Sequence, residues 1–200
     1  MAAKRQKPAD AFVIVMGTAG TGKSEIGRRL AAALGCDFIE ADLFHTPENV
    51  EKMREGKGLT DADREPWLHA VCSAALDRSS RPVVIACSAL KRRYRDLIRG
   101  RLGDVRLVFL DGTRYLTAAR LGARKGHFAS TSLLDSQLQT LERPGADEAP
   151  VVLDIAQPPE TLVACTSLQA LKFQVSPVPC SACQASRSSR SHSRNCRTFL

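Results

Sequence analysis

Residues 11–24 read A-F-V-I-V-M-G-T-A-G-T-G-K-S, and the helical sequence E-I-G-R-R-L-A-A-A-L follows directly. The first six residues form a continuous apolar run rich in β-branched side chains, which is typical of a strand buried on both faces of a parallel sheet. Gly17-x-x-x-x-Gly22-Lys23-Ser24 is a complete glycine-rich phosphate loop in the strand–loop–helix context that this motif requires. The stretch therefore predicts a nucleotide-binding α/β fold.

The residue types of this loop follow from the chemistry of an anion. Glycines let backbone N–H groups approach phosphate oxygens, and the next helix points its positive end at the same oxygens. Lys23 is expected to reach the β- and γ-phosphates, and the Ser24 hydroxyl is expected to bind Mg²⁺. We therefore expect the loop to hold ATP and Mg²⁺ through Gly17, Thr18, Ala19, Gly20, Thr21, Gly22, Lys23 and Ser24.

Strand-like and helical segments alternate after the loop. Further strands are predicted at 36–42, 83–87, 105–110 and 151–155, and helices at 23–34, 89–99, 114–124, 132–141 and 159–171, with a polar, mostly helical insertion between residues 43 and 78. Such alternation implies right-handed crossovers and a parallel sheet. The predicted fold class is α/β: a P-loop NTPase three-layer sandwich whose five-stranded parallel sheet carries helices on both faces.

Composition indicates one ordinary globular domain. The chain has 200 residues, 44% hydrophobic and 25% charged residues, and no apolar run near the ~20 residues needed to cross a membrane. The basic start lacks the apolar core of a secretory signal, so we expect a cytoplasmic protein with reduced thiols. The net charge of +8 suits an anionic small molecule as well as nucleic acid.

The composition changes at about residue 173. The segment 173–200 is rich in Ser and Arg and contains no acidic residue, so we predict a P-loop domain at 1–172 and a disordered tail beyond it. The tail could bind RNA or be phosphorylated, or it could be dispensable. Cys180 and Cys183 have zinc-knuckle spacing with His192 and Cys196 downstream, but one C-x-x-C pair is a weak signal.

A phosphate loop specifies a nucleotide but not a reaction. The chain has no N-K-x-D-like segment for base recognition, which argues against a GTPase, and its third strand ends in Ala86-Cys87-Ser88 without an acid. The acid at a strand end is Asp42, after the second strand. That arrangement is typical of small P-loop kinases, in which such an acid faces the acceptor of the phosphoryl group.

Several blocks of sequence together resemble the gluconokinases, small P-loop enzymes that phosphorylate D-gluconate at its 6-hydroxyl with ATP. The resemblance covers about residues 12–171 and is carried by Asp42-x-x-His45, Asn49-x-x-Lys52-Met53, Leu59-x-Asp61-x-Asp63-Arg64-x-Pro66-Trp67-Leu68, Cys87-Ser88-Ala89-Leu90-Lys91, Tyr94-Arg95-Asp96, Arg120, Arg124-Lys125-Gly126-His127-Phe128, Ser136-Gln137 and Leu141-Glu142-x-Pro144. It implies a kinase-type lid around Arg124 and a product, 6-phospho-D-gluconate, that feeds the pentose phosphate pathway.

The resemblance also implies roles for single residues. The catalytic residues would be Lys23, Asp42, which would orient and deprotonate the acceptor hydroxyl, and Arg124, which would neutralise phosphate charge. Arg120 would contact the adenine or the phosphates. The acceptor would be bound by Asp42, His45, Arg64, Lys91, Arg95 and His127, whereas Asp61 and Asp63 could be helix-capping residues and Trp67 a core residue.

Two alternatives stay open at this point. The acceptor could be shikimate or another small hydroxy acid, because the loop, lid and strand-end acid would serve it equally well. The chain could also be a nucleotide-dependent binding module that uses its basic tail. Family members are often dimers, so the resemblance also implies a homodimer, with no membrane partner.

Overall fold

The computed structural model describes residues 12–55, 57–123 and 131–171. Five strands, seven α-helices and two 3₁₀ segments are seen in these ranges, in the order β1 Phe12–Met16, α1 Lys23–Leu34, β2 Asp37–Glu40, 3₁₀ Ala41–Phe44, α2 Pro47–Arg54, α3 Asp61–Leu76, β3 Val83–Ala86, α4 Arg92–Leu102, β4 Val105–Asp111, α5 Arg114–Gly122, α6 Thr131–Thr140, 3₁₀ Ala146–Glu148, β5 Val151–Asp154 and α7 Pro159–Leu171. The predicted domain limit at residue 172 and the whole tail lie outside the described residues.

The five strands form one parallel sheet in the order β2-β3-β1-β4-β5. The apolar run that opens the chain is the central strand, and all of its residues are buried. Because every strand runs in the same direction, the loops that follow the strands meet at one edge of the sheet. In open α/β sheets this edge is where ligands bind.

Helices cover both faces of the sheet, as the sequence predicts. Alternate residues of β1 point to opposite faces. Ile14 packs in the core cluster that contains Leu68 of α3 and Ile98 of α4. Val15 packs in the second cluster, which contains Leu30 of α1 and Leu162 of α7. The three-layer α/β sandwich is therefore confirmed.

Two predicted boundaries are wrong for identifiable reasons. β2 ends at Glu40 instead of residue 42, because the Ala41 carbonyl accepts a hydrogen bond from Trp67 Nε1 at 2.7 Å while the chain turns into a 3₁₀ segment. Helix α4 begins at Arg92 instead of residue 89, because Ala89 has a φ of +42°, which no right-handed helix contains. Both differences change the loops at the ligand-binding edge.

Within the part of the chain that the structure describes, no helix is both long and apolar enough to span a bilayer.

Candidate active site

The phosphate loop connects the end of β1 with α1 and depends on residues without side chains. Gly20 has a φ of +83°, and a Cβ atom there would lie 2.6 Å from the Thr117 carbonyl oxygen. Gly22, the N-cap of α1, has a φ of +93°, a backbone conformation that L-residues rarely adopt. The loop therefore needs these glycines for its backbone path, as well as for access by an anion.

Lys23 and Ser24 are the first two residues of α1. Lys23 Nζ donates to the Thr18 carbonyl oxygen at 3.1 Å, and this bond holds the side chain back along the loop. Ser24 is partly exposed at the same helix end. The positive end of the helix, the ammonium group and the glycine-rich backbone thus converge where the sequence predicts the phosphates.

Gln137 contacts the phosphate loop, and the sequence did not predict this contact. Its Oε1 accepts from the Ala19 backbone N–H at 2.6 Å, across 118 residues of sequence. Gln137 lies in α6, and the sequence marked it only as part of a block similar to the gluconokinases. Nothing in its local pattern indicates which backbone group it reaches.

Asp42 lies in the 3₁₀ segment after β2 and is exposed. Its charge acts on the thiol of Cys87, which follows β3, and the charge of Lys23 acts on the same thiol. Asp42, Cys87 and Lys23 follow β2, β3 and β1, which are consecutive in the sheet, so the predicted catalytic acid and the phosphate-loop lysine lie at the same edge, both within electrostatic range of Cys87.

Cys87 itself is fully buried, and burial, reinforced by the Asp42 charge, raises the pKa of its thiol to about 12. The thiol is consequently neutral at physiological pH. It adds no charge of its own to this part of the site.

His45 stacks on Trp67 with ring centroids 4.3 Å apart. Burial, together with the nearby Arg64 charge, lowers the pKa of His45, although Asp42 partly opposes the shift. A neutral imidazole can both donate and accept a hydrogen bond, which suits a sugar hydroxyl. Trp67 is buried in the core, as expected, and its Nε1 donates to the Ala41 carbonyl beside Asp42.

Asp61, the first residue of α3, is the centre of a polar cluster at the start of α4. It accepts from Lys91 Nζ and Arg93 NH1, each at 2.8 Å, and from the Tyr94 hydroxyl. The Lys91 and Tyr94 hydrogen bonds hold the pKa of Asp61 at about 2. The predicted substrate residue Lys91 is therefore positioned by a carboxylate that is charged at physiological pH.

Arg64 lies one turn further along α3 and faces the same cluster. Its guanidinium donates to the Leu59 carbonyl and lies 5.9 Å from the centre of the Tyr94 ring. Arg64 also lies within electrostatic range of His45 and Lys91. Four of the residues predicted to bind the acceptor, Asp42, His45, Arg64 and Lys91, therefore follow one another within electrostatic range and form a rim from Asp42 to Lys91.

Asp63 has the capping role that the sequence allowed. Its Oδ2 accepts from the Thr60 backbone N–H at 2.9 Å, while Thr60 Oγ1 accepts from the Asp63 backbone N–H, which is a complete capping box. Its other oxygen accepts from Lys52 Nζ at 2.7 Å, and these contacts hold the pKa of Asp63 at about 2. Asp63 therefore joins α2 to α3.

Arg95 does not match the predicted substrate role. Only 1% of its surface is exposed, and its guanidinium is paired with Glu148 through Nε–Oε2 at 2.6 Å and NH2–Oε1 at 2.8 Å. Its NH1 group donates to carbonyl oxygens of Ala89, Leu90 and Glu142. The expectation is corrected: Arg95 holds the loop after β3 and the segment before β5 together, and it does not face a ligand.

The remaining predicted arginines lie around α5 and the segment that follows it. Arg120 NH2 donates to the Ile155 carbonyl oxygen, just after β5, at 2.7 Å. This contact places Arg120 at the ligand-binding edge of the sheet and leaves both predicted partners, the adenine and the phosphates, open. Arg124 and His127, with the predicted lid, lie outside the described residues.

The fold and the loop define a nucleotide-binding protein of the P-loop class. A family model described as an AAA domain matches residues 12–144. Thermoresistant gluconokinase of Escherichia coli is 44% identical over 76% of this chain and 89% of its own length. Gluconokinase of Gluconobacter oxydans is 49% identical over 70% of this chain and 80% of its own length.

Solved structures agree with these relatives. A gluconokinase from Sinorhizobium meliloti is 43% identical, with a TM-score of 0.73 over 86% of this chain and all of that one. A shikimate kinase from Acinetobacter baumannii is only 16% identical, with a TM-score of 0.56, and shows the fold alone. The chain belongs to the gluconokinase family.

Proposed function

We propose that the protein is a gluconokinase, which transfers the γ-phosphoryl group of ATP to the 6-hydroxyl of D-gluconate and produces 6-phospho-D-gluconate and ADP. The observation that carries this conclusion is the match to the gluconokinases of Escherichia coli and Gluconobacter oxydans, at 44–49% identity over 70–76% of this chain. The rim of polar residues from Asp42 to Lys91 beside the phosphate loop supports it.

Charge complementarity favours gluconate as the acceptor. A sugar acid brings one carboxylate and several hydroxyl groups. Arg64 and Lys91 lie close enough to influence each other electrostatically, and a guanidinium can bind a carboxylate through two hydrogen bonds. His45, neutral and stacked on Trp67, would bind a hydroxyl group. Shikimate is also a hydroxy acid, but the likeness to shikimate kinases does not go beyond the fold.

Asp42 would receive the proton in this reaction. The 6-hydroxyl oxygen forms a bond to the γ-phosphorus, the bond from that phosphorus to the bridging oxygen of ADP breaks, and the hydroxyl proton passes to the Asp42 carboxylate. Asp42 is exposed and accessible to an acceptor. Lys23 would neutralise charge on the β- and γ-phosphates throughout the transfer.

Mg²⁺ fits the residues at the start of α1. The Ser24 hydroxyl is an oxygen ligand of the kind that Mg²⁺ prefers. Among residues 12–55, 57–123 and 131–171, no group of three or more His, Cys, Asp or Glu residues could hold a metal alone. Ser24 and phosphate oxygens would therefore share the ion, as is usual for Mg²⁺ in kinases. When bound, it would supply positive charge to the transferring phosphoryl group.

Arg120, together with Arg124 and His127 in the proposed lid, would complete the nucleotide site. A cytoplasmic location, a homodimer and a dispensable tail after residue 172 are parts of the same proposal.

Release of ADP from MgATP, measured with gluconate, shikimate, glucose and no acceptor, tests the function. We expect turnover with gluconate, at least about a hundredfold less of it in Lys23→Met, and no such loss in Lys57→Met, whose exposed side chain pairs only with Glu55 among the contacts described. Turnover that favours shikimate, or that does not depend on an acceptor, would reject the proposal.

A further inference from the structure

The peptide unit between Thr18 and Ala19 is held from both of its ends. On one side, the Ala19 N–H donates to Gln137 Oε1 at 2.6 Å. On the other side, the Thr18 carbonyl oxygen accepts from Lys23 Nζ at 3.1 Å and from Thr21 Oγ1 at 2.8 Å. This peptide is trans, so its N–H and its carbonyl point in opposite directions. Whatever fixes the N–H therefore also fixes the carbonyl.

The Thr18 carbonyl belongs to the buried part of the phosphate loop, whereas Gln137 lies outside this loop. Thr18 and Thr21 are only 4% and 2% exposed, and the hydrogen bond between them lies within the loop. Gln137 is partly exposed and comes from another element, α6. It ties the phosphate loop to a helix that is remote in sequence.

Helix α6 is well anchored on both sides of Gln137. Leu134 is fully buried one turn earlier, and Asp135 makes two hydrogen bonds, of 2.6 and 2.9 Å, with Arg114 of α5. Just after the helix, the Glu142 N–H donates to the Leu90 carbonyl oxygen at 2.9 Å. Gln137 therefore presents its oxygen to the loop from a fixed support.

We propose that Gln137 is a positioning residue for nucleotide binding: it orients the Thr18–Ala19 peptide, and the Thr18 carbonyl in turn positions the Lys23 ammonium for the phosphates. A lysine has three N–H donors, so Lys23 can keep its hydrogen bond to Thr18 while it also donates to phosphate oxygens. This inference rests on the proposed function, because it takes the loop to bind MgATP.

A substitution pair on one helix separates this role from a general effect on stability. Gln137→Met keeps the length of the side chain and the helix propensity but removes the acceptor. Gln139→Met is the same substitution at an exposed position of the same helix. We expect the Kd for MgATP, measured by calorimetry without an acceptor, to rise about tenfold in Gln137→Met, the usual range for one lost hydrogen bond that leaves its partner unsatisfied. Gln139→Met should stay within about twofold.

A double-mutant cycle tests the connection to Lys23. If Gln137 acts through Lys23, then Gln137→Met should change the MgATP Kd less than about twofold in a Lys23→Met background. In steady-state assays, kcat/KM for ATP should fall about tenfold while the KM for gluconate stays unchanged. Gln137→Asn, whose shorter side chain does not reach Ala19, should reproduce the loss and serves if the Met variant fails to fold.

An unchanged MgATP Kd in Gln137→Met, or the same tenfold loss with and without Lys23, would overturn the inference. An equal rise in the KM for gluconate would also overturn it. A wild-type protein that does not bind MgATP would reject the proposed function together with this inference. A wild-type protein that binds MgATP and phosphorylates gluconate, with unaltered Gln137 variants, would reject the inference alone.

Discussion

Arg95 and Glu148 form a buried ion pair with two parallel hydrogen bonds, Nε to Oε2 at 2.6 Å and NH2 to Oε1 at 2.8 Å. Each side chain is 1% exposed. Burial alone would raise the pKa of Glu148, but Arg95, the Gly145 N–H and Arg99 outweigh it and lower the pKa to about 2. The pair links α4 to the segment before β5 and so supports the edge of the sheet that carries the site.

Glu148→Gln should destabilise the fold by about 3 kcal/mol, because it leaves the Arg95 charge buried without its counter-charge. Urea denaturation measures this difference. Glu51→Gln is the matched control, since Glu51 pairs with Arg54 on the surface, where such a pair contributes ~0–1 kcal/mol. Equal effects of the two substitutions would contradict the structural role assigned to Arg95.

Stability should decline in acid through the same carboxylate. Glu148 has a lowered pKa in the folded state, so its contribution is present above about pH 4.5 and is lost as the pH falls towards about 2. Asp61 and Asp63 contribute with the same sign over a similar window. Thermal unfolding between pH 2 and 6 should show a steeper decline in the wild type than in Glu148→Gln. Parallel profiles would show that Glu148 is not the group responsible.

Asp42→Asn should lower kcat about a hundredfold, the usual range for loss of a general base, with a smaller change in the KM for ATP. The amide keeps the size of the side chain but cannot take the proton. Asp104→Asn, in the exposed turn before β4, is the control and should leave kcat unchanged. If Asp42→Asn retained full kcat over the whole pH range, another group would have to accept the proton.

Asp61→Asn should raise the KM for gluconate about tenfold, because the carboxylate holds Lys91, Arg93 and Tyr94 together beside the proposed acceptor site. The KM for ATP should not change, since none of these contacts involves the phosphate loop. Steady-state kinetics with each substrate varied separately distinguish the two constants. A rise in the KM for ATP alone would place the cluster at the nucleotide instead.

A chain that ends at residue 172 should keep the kcat and both KM values of the full protein within about twofold. The reason is that the matches to gluconokinases cover 70–76% of the chain and the described site lies within residues 12–171. Activity assays on the two proteins at equal folded concentration provide the comparison. Loss of phosphorylation in the shortened chain would instead assign the tail a role in the main activity.

Local signals predicted the fold and the phosphate loop because both depend on neighbours in sequence. The buried run of β1, the glycines and the first residues of α1 are adjacent, and the structure places α1 at Lys23–Leu34, the bounds that the sequence predicts. The capping box of Thr60 and Asp63 is equally local and could be anticipated.

Long-range pairing could not be predicted in the same way. The sequence predicted that Arg95 binds the substrate. Its actual partner, Glu148, lies 53 residues away and is brought to Arg95 only by tertiary packing. The contact of Gln137 with Ala19 spans 118 residues and joins a side chain to a backbone group, so no residue-type pattern reveals it. An arginine or lysine within a block of family-like sequence therefore indicates a ligand contact only when its side chain is not paired with a buried carboxylate.

Product identification tests the central claim most directly. Phosphorus NMR of a reaction with MgATP and D-gluconate should show one phosphomonoester at the 6-position, formed in equal amount with ADP, and neither should form in Lys23→Met. A phosphate on another hydroxyl, or ADP formed with inorganic phosphate in place of the ester, would contradict the assignment of this protein as a gluconokinase.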